Sequence, residues 1–197
     1  MVAHVDTPFA CRRYKKRGRH FGRRRLSVLT KQNNPNARSV DQTFNMFGVL
    51  LNFLITPAET GYEVSFFKGI LPPGVVIPLH SHAEPEIFYV LEGSLEVYRE
   101  SGQPQGWFTT QPGGVLAIPG NVKHALRNTS STPTSVLLVT QEELYNFFRS
   151  IAKPIEVGQM HAPPSPEDTQ RLFAAAAKYH YWMGSPEENA TIGISLG

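Results

Sequence analysis

The sequence predicts a mostly β protein: a single antiparallel β-barrel or sandwich, followed by C-terminal α-helices and preceded by a basic extension. Three observations predict it. From about Asn45 the chain runs in short β-type segments separated by Gly, Pro and Asn turns. Sixteen Gly and sixteen Pro in 197 residues supply those turns. Beyond residue 140 the apolar period changes from two to three and four, the spacing of an amphipathic helix.

Residues 1–40 read as an extension outside the fold. They carry eleven Lys or Arg against one acid, Asp6, a balance of +10, whereas residues 41–197 carry −7 and the whole chain +3. The runs Arg12–Arg17 and Arg23–Arg25 have no apolar periodicity around them, and 32–36 is a polar linker. The expectation is a disordered arm or a start placed too far upstream, since charge runs are usually solvated, with an organelle transit peptide or a basic arm for nucleic acid as the alternatives. A twin-arginine or secretory signal needs an apolar core, and Leu26–Leu29 stops at Thr30-Lys31. Tyr14 alone gives too little aromatic interleaving for a nucleic-acid surface, so a nucleic-acid partner is not expected.

The barrel is expected over residues 41–141. Its candidate strands are 47–54, 62–69, 75–80, 87–91, 95–100, 107–110, 115–118, 124–127 and 135–139, with Glu92-Gly93-Ser94 as a hairpin tip. A helical extension, 142–197, is expected to pack on it. In 141–152, Leu144, Phe147, Phe148 and Ile151 form one apolar face. A second helix over 166–180 has Ser165 as N-cap, Pro166 in its first position, and Glu167 and Asp168 in the first turn.

Composition narrows the function classes. The longest apolar stretch, Met46–Ile55, has ten residues and is interrupted by Asn52, too short to span a bilayer. No membrane partner is expected. Cys11 is the only cysteine, so no intrachain disulfide forms and a reducing, cytoplasmic setting is the default.

The chemistry-bearing residues are concentrated in two segments. On a strand, residues i and i+2 face the same way, so His80 and His82 project together. Pro85 ends that strand and Glu86 opens the next, placing a carboxylate near both imidazoles. His124, on a later strand, can supply a third imidazole. Neutral imidazoles plus a carboxylate suit a divalent transition ion, and four ligands leave two octahedral positions open. A bare His-x-His is weak evidence, because seven His in this chain give about a quarter of one by chance.

Nine residues at fixed offsets sharpen the signal: Gly74, His80, His82, Glu86, Gly93, Gly113, Pro119, His124 and Asn128. Over about residues 45–140 this set resembles the two motifs of the cupin superfamily, one copy of each, as in a small single-barrel type-2 cupin. Asn121 departs from the pattern, standing where the second motif usually has Gly; Asn tolerates the left-handed conformation better than most residues.

The resemblance implies a double-stranded β-helix barrel of the jelly-roll type, often a homodimer. It also implies one divalent metal (Fe, Mn, Ni, Co, Cu or Zn) on His80, His82, Glu86 and His124. Offset and alternation favour Glu86 over Glu84, which is expected to be a solvated turn acid. Phe88, Val90 and Leu126 share strand parity with the ligands and are candidate pocket-lining residues. His161 and His180 lie outside the motifs. The stretch Phe88–Gly93 and the helical tail look like bacterial quercetinase-like cupins. That likeness implies a metal-dependent dioxygenase acting on a small aromatic or enolisable substrate, with Glu86 as ligand or general base. A non-enzymatic ligand-binding or sensor barrel, and a metal-dependent isomerase or decarboxylase, are the alternatives, because fold does not fix function.

Overall fold

The computed structural model describes residues 42–155 and 164–196, which belong to one compact unit. The basic arm, Cys11 and His161 lie outside the described residues. The first strands are β1 (Thr43–Met46) and β2 (Val49–Ile55), followed by a 3-10 turn, Pro57–Thr60, and then β3 (Ser65–Leu71) and β4 (Val76–Ser81). Next come β5 (Glu86–Glu92), β6 (Leu95–Arg99), β7 (Gly106–Thr110), β8 (Val115–Ile118), β9 (His124–Arg127) and β10 (Thr134–Thr140). The C-terminal part holds α1 (Glu142–Ile151), β11 (Lys153–Ile155), α2 (Pro166–Lys178), β12 (Trp182–Met183) and α3 (Pro186–Thr191).

The strands form two antiparallel sheets facing each other in a jelly roll. One has the order β11-β1-β2-β3-β10-β5-β8, the other β12-β4-β9-β6-β7. Period-2 alternation decides which side chains enter the space between them. On β5, Glu86, Phe88 and Val90 are buried while Ile87, Tyr89 and Leu91 are exposed. Phe67, Val97, Leu126 and Val136 meet them from other strands. The buried face of α1, with Leu144, Phe147, Phe148 and Ile151, packs against the same cluster.

Three differences from the sequence reading have local causes. Residues 47 and 48, taken as the start of the first strand, are instead its turn: Phe47 and Gly48 have φ of 53° and 93°, and the Gly48 N–H donates to the Asn45 side chain at 2.9 Å. The next strand starts at Ser65 rather than 62, because the 3-10 turn leaves Tyr62 left-handed at φ 68°. Helix α2 ends at Lys178, with His180 left-handed at φ 58° just beyond. Its start agrees with expectation: Ser165 and Asp168 form a reciprocal capping box with Pro166 between them.

The segment 142–197 supplies more than helices. β11 extends the larger sheet at β1, and β12 pairs with β4 through Trp182↔Ser81 and Met183↔His80. Asn189 fastens this return. Its side chain accepts the Leu79 N–H at 2.8 Å and donates to the Gly184 and Ser185 carbonyls at 3.1 and 3.0 Å. The C-terminal segment therefore braces the strand that carries two of the candidate ligands.

Candidate metal centre

His80 and His82 sit at the end of β4, Glu86 opens β5 and His124 opens β9. Pairing of β4 with β9 sets His80 opposite His124. The result is one cluster: His80, His82, Glu86 and His124 each offer a ligand atom, all within 4.8 Å of one another. His82, Glu86 and His124 are buried and His80 is partly so.

The backbone fixes the orientation of all three imidazoles. Nδ1 of His80 meets the Pro78 carbonyl at 2.7 Å, that of His82 the Glu84 carbonyl at 2.9 Å, and that of His124 the Val122 carbonyl at 2.8 Å. A carbonyl oxygen only accepts, so each Nδ1 carries the proton and each neutral ring keeps its lone pair on Nε2. These Nε2 atoms face Glu86, whose Oε2 lies 3.1 Å from that of His124 and 3.8 Å from that of His82. The His82 Nε2 is buried without any hydrogen-bond partner.

This donor set fits a metal ion. At ligand distances of about 2.1 Å, neighbouring donors lie roughly 3 Å apart and opposite ones roughly 4.2 Å. The observed spacing lies close to that range. An ion would also satisfy the orphaned His82 nitrogen, which no protein group reaches.

The electrostatics run the same way. Burial, with the neighbouring His124 and His82 rings, lowers the His80 pKa from 6.5 to about 3. Burial opposes charge on His82 as well, but the Glu86 carboxylate outweighs it and raises that imidazole. Burial alone would push the Glu86 carboxyl up; the adjacent His124 and His82 imidazoles overcome it and hold the group well below the usual range. A carboxylate held ionised in this way is a metal ligand first and only a weak base.

A pH prediction follows for the metal-free protein. The unfolded His80 binds a proton more readily than the folded one, so stability falls as pH drops below 6.5. By pH 5 the loss relative to neutral pH is about 2 kcal/mol. His82 has the opposite sign; its contribution is complete below 6.5 and is lost only as pH rises through its raised value. Glu86 contributes above 4.5 and loses that contribution only as pH falls through its depressed value. Urea titrations at pH 7 and pH 5 should therefore show His80→Ala losing about 2 kcal/mol less than the wild type. Equal losses in both proteins would refute the assignment.

Two apolar cavities adjoin the cluster. The larger, about 100 Å³, is bounded by His80, His82 and Tyr181 together with Phe147, Ile151 and Met183. The smaller, about 60 Å³, lies deeper in the barrel against His80, Glu86, Phe88, Leu126 and Leu138. Phe88 and Leu126 thus reach a cavity beside the metal-ligating atoms, whereas Val90 lies in the fully buried core, outside the lining of both. Met46, Val49, Ile77, His80 and Phe148 line both cavities.

The structure corrects the reading of Glu84. It is buried, 7% exposed, rather than solvated, and its Oε2 lies 3.6 Å from His82 Nδ1. Tyr181 lies on the same imidazole, its ring 5.4 Å from that of His82. Sequence reasoning also missed the cavity walls from α1 and Met183. Only the apolar period of α1 offered a signal; a two-residue strand carries none. His180 takes no part in the cluster.

Residues 67–140 match the family described as the Cupin domain. No curated protein matches the chain. Among solved structures it is similar to a predicted oxalate decarboxylase from Thermotoga maritima, at 24% identity over 53% of this chain and 96% of that one, with a TM-score of 0.47. It is also similar to the cupin domain of an XRE family transcriptional regulator from Enterobacter cloacae (24% identity, 48% and 96% covered, TM-score 0.40). A third is a sugar phosphate isomerase of the cupin superfamily from Silicibacter pomeroyi (23% identity, 49% and 60% covered, TM-score 0.40). Among the described residues, no helix is long and apolar enough to cross a membrane.

Proposed function

Residues 67–140 of this chain are a cupin domain, and from that premise we propose that the protein is a metal-dependent dioxygenase of the quercetinase-like kind, acting on a small enolisable or aromatic substrate. One observation carries the reading. Three imidazoles, each fixed by its own backbone carbonyl, and the Glu86 carboxylate converge beside a cavity walled by apolar side chains.

In this proposal His80, His82, Glu86 and His124 hold one divalent transition ion. When bound, such an ion supplies a Lewis acid and, if redox-active, electrons for dioxygen chemistry. The remaining work belongs to the chain. Phe88, Leu126 and Leu138 exclude water and seat the apolar body of the substrate. Glu86 is the carboxylate that reaches this cavity, where it serves as a ligand first and, with its lowered basicity, only as a weak acceptor for a substrate proton.

Cavity size narrows the substrate class. The two spaces, about 100 and 60 Å³, are small and share His80 and Phe148 among their walls. An apolar cavity of roughly 150 Å³ holds benzene. The space therefore favours a single ring or a short 1,3-diketone over a three-ring flavonol. Metal analysis by plasma mass spectrometry, followed by oxygen-electrode assays of the metal-loaded protein, tests the proposal. Oxygen uptake is expected with a short 1,3-diketone and not with a flavonol. Turnover without oxygen would replace it with an isomerase or decarboxylase, and saturable binding without turnover with a ligand-binding barrel.

We also propose a homodimer in a reducing, cytoplasmic setting. The outer face of the larger sheet exposes Ile87, Tyr89, Leu91 and Val115, an apolar surface of the kind that marks an interface. Sedimentation should find a wild-type dimer and a monomeric Tyr89→Lys variant. A wild-type monomer at micromolar concentration refutes this part.

A further inference from the structure

We propose that Glu84 and Tyr181 form an outer pair behind His82 and set how tightly that imidazole holds its metal. The inference rests on His82 being a ligand and adds two residues that the ligand set does not contain. Both belong to elements that the sequence gives no reason to bring together: Glu84 lies in the connection from β4 to β5, and Tyr181 immediately precedes β12, whose Trp182 pairs with Ser81.

Unsatisfied polar atoms mark the place. Among the described residues four buried side-chain N or O atoms lack a hydrogen-bond partner: His82 Nε2, Glu84 Oε2, the Tyr181 hydroxyl and Arg171 Nε. Three of the four belong to His82 itself or to residues packed beside its ring, so they call for a common explanation. The His82 nitrogen is accounted for by a metal. The other two are complementary, since one is an acceptor lacking a donor and the other a hydroxyl able to donate. The Glu84 carboxylate is close enough to the hydroxyl to raise its pKa, to which burial contributes most.

The geometry gives the pair its role. On the side away from the metal, the Glu84 carbonyl accepts the His82 Nδ1–H at 2.9 Å, and the Glu84 Oε2 stands 3.6 Å from the same nitrogen, close enough to act by charge. Coordination draws electron density from a ring, and a carboxylate behind Nδ1–H stabilises the positive charge that results. Neither His80 nor His124 has a side-chain carboxylate within ion-pair reach of its Nδ1 among the described residues. In this pair Tyr181 is the donor that Glu84 lacks, and its ring packs 4.9 Å from that of Phe147.

Chelator competition with Zn(II) or Co(II) on the full chain tests the proposal, with the melting temperature of each metal-free variant measured alongside. Glu84→Gln should weaken metal binding about 10- to 100-fold and leave the metal-free melt unchanged. Tyr181→Phe should weaken it less, and should have no further effect in the Glu84→Gln background, because the two residues act through one path. Wild-type affinity in Glu84→Gln, or independent effects of the two substitutions, overturns the pair. So does a loss as large as that of Glu86→Gln, which would make Glu84 a ligand instead. If Glu84→Gln does not fold, Tyr181→Phe decides alone, and unchanged affinity there overturns the proposal. A wild type that binds no metal removes the parent reading as well, whereas tight wild-type binding with unaffected variants removes only this one.

Discussion

Replacing His80 and His82 together by alanine should lower metal affinity by about four orders of magnitude. Tetrahedral zinc sites bind with about 10–16 kcal/mol spread over four ligands, so each ligand contributes roughly 3 kcal/mol, or about a hundredfold in affinity. Two ligands on one strand are lost at once in this variant. The remaining Glu86 and His124 lie 3.1 Å apart and would contact each other rather than an ion. Metal content measured by plasma mass spectrometry should fall from about one ion per chain to none. No second group of three or more metal-ligating side chains exists among the described residues to take over. Unchanged content in the variant would mean that these histidines are polar residues at a barrel mouth. The metal reading would then fail, whatever the fold.

How much of this was legible beforehand depended on the range of the interaction. His80 and His82 could be read as a pair because strand parity is a local property. Glu86 could be joined to them through the short connection at Pro85, but His124 only through motif offsets, and the register His80↔His124 supplies the physical basis for that join. Asn121 was read as tolerating a left-handed turn, and it adopts φ 63°. The Ser165 cap was legible for the same local reason.

What stayed hidden lies in long-range pairing. β11 and β12 have three and two residues, too short for any period, and form because an edge strand offers unpaired backbone groups. The tie between Asn189 and Leu79 spans 110 residues. Glu84 looked like an exposed turn acid because nothing within ten residues of it indicates that Tyr181 returns to cover it. The same C-terminal return braces β4 and walls the larger cavity, so the parts that shape access to the cluster were the least visible.

Gly120→Ala should damage the site without touching a ligand. Gly120 lies in the turn between β8 and β9, and a Cβ there would stand 1.9 Å from the Ala83 carbonyl oxygen and 2.8 Å from its carbon. Both are backbone atoms, so no side chain can rotate out of the way. The adjoining Asn121 N–H donates to the His82 carbonyl at 2.6 Å, so this turn is docked on the segment that joins His82 to Glu86. A methyl group must wedge the two apart, moving His82 away from His124. Overpacking of this kind costs about 3 kcal/mol when neither side can yield. Urea denaturation of the metal-free variant should show that loss. Metal affinity should fall as well, since donor positions must hold to within about 0.5 Å. Asn121→Gly is the control: glycine accepts the same left-handed backbone, so stability should stay within about 1 kcal/mol and metal binding should persist. Damage by both substitutions would mean that the turn merely needs its native sequence. Damage by Gly120→Ala alone locates the requirement in the close approach of two backbones, the contact through which a connecting turn keeps imidazoles from separate strands within reach of one ion.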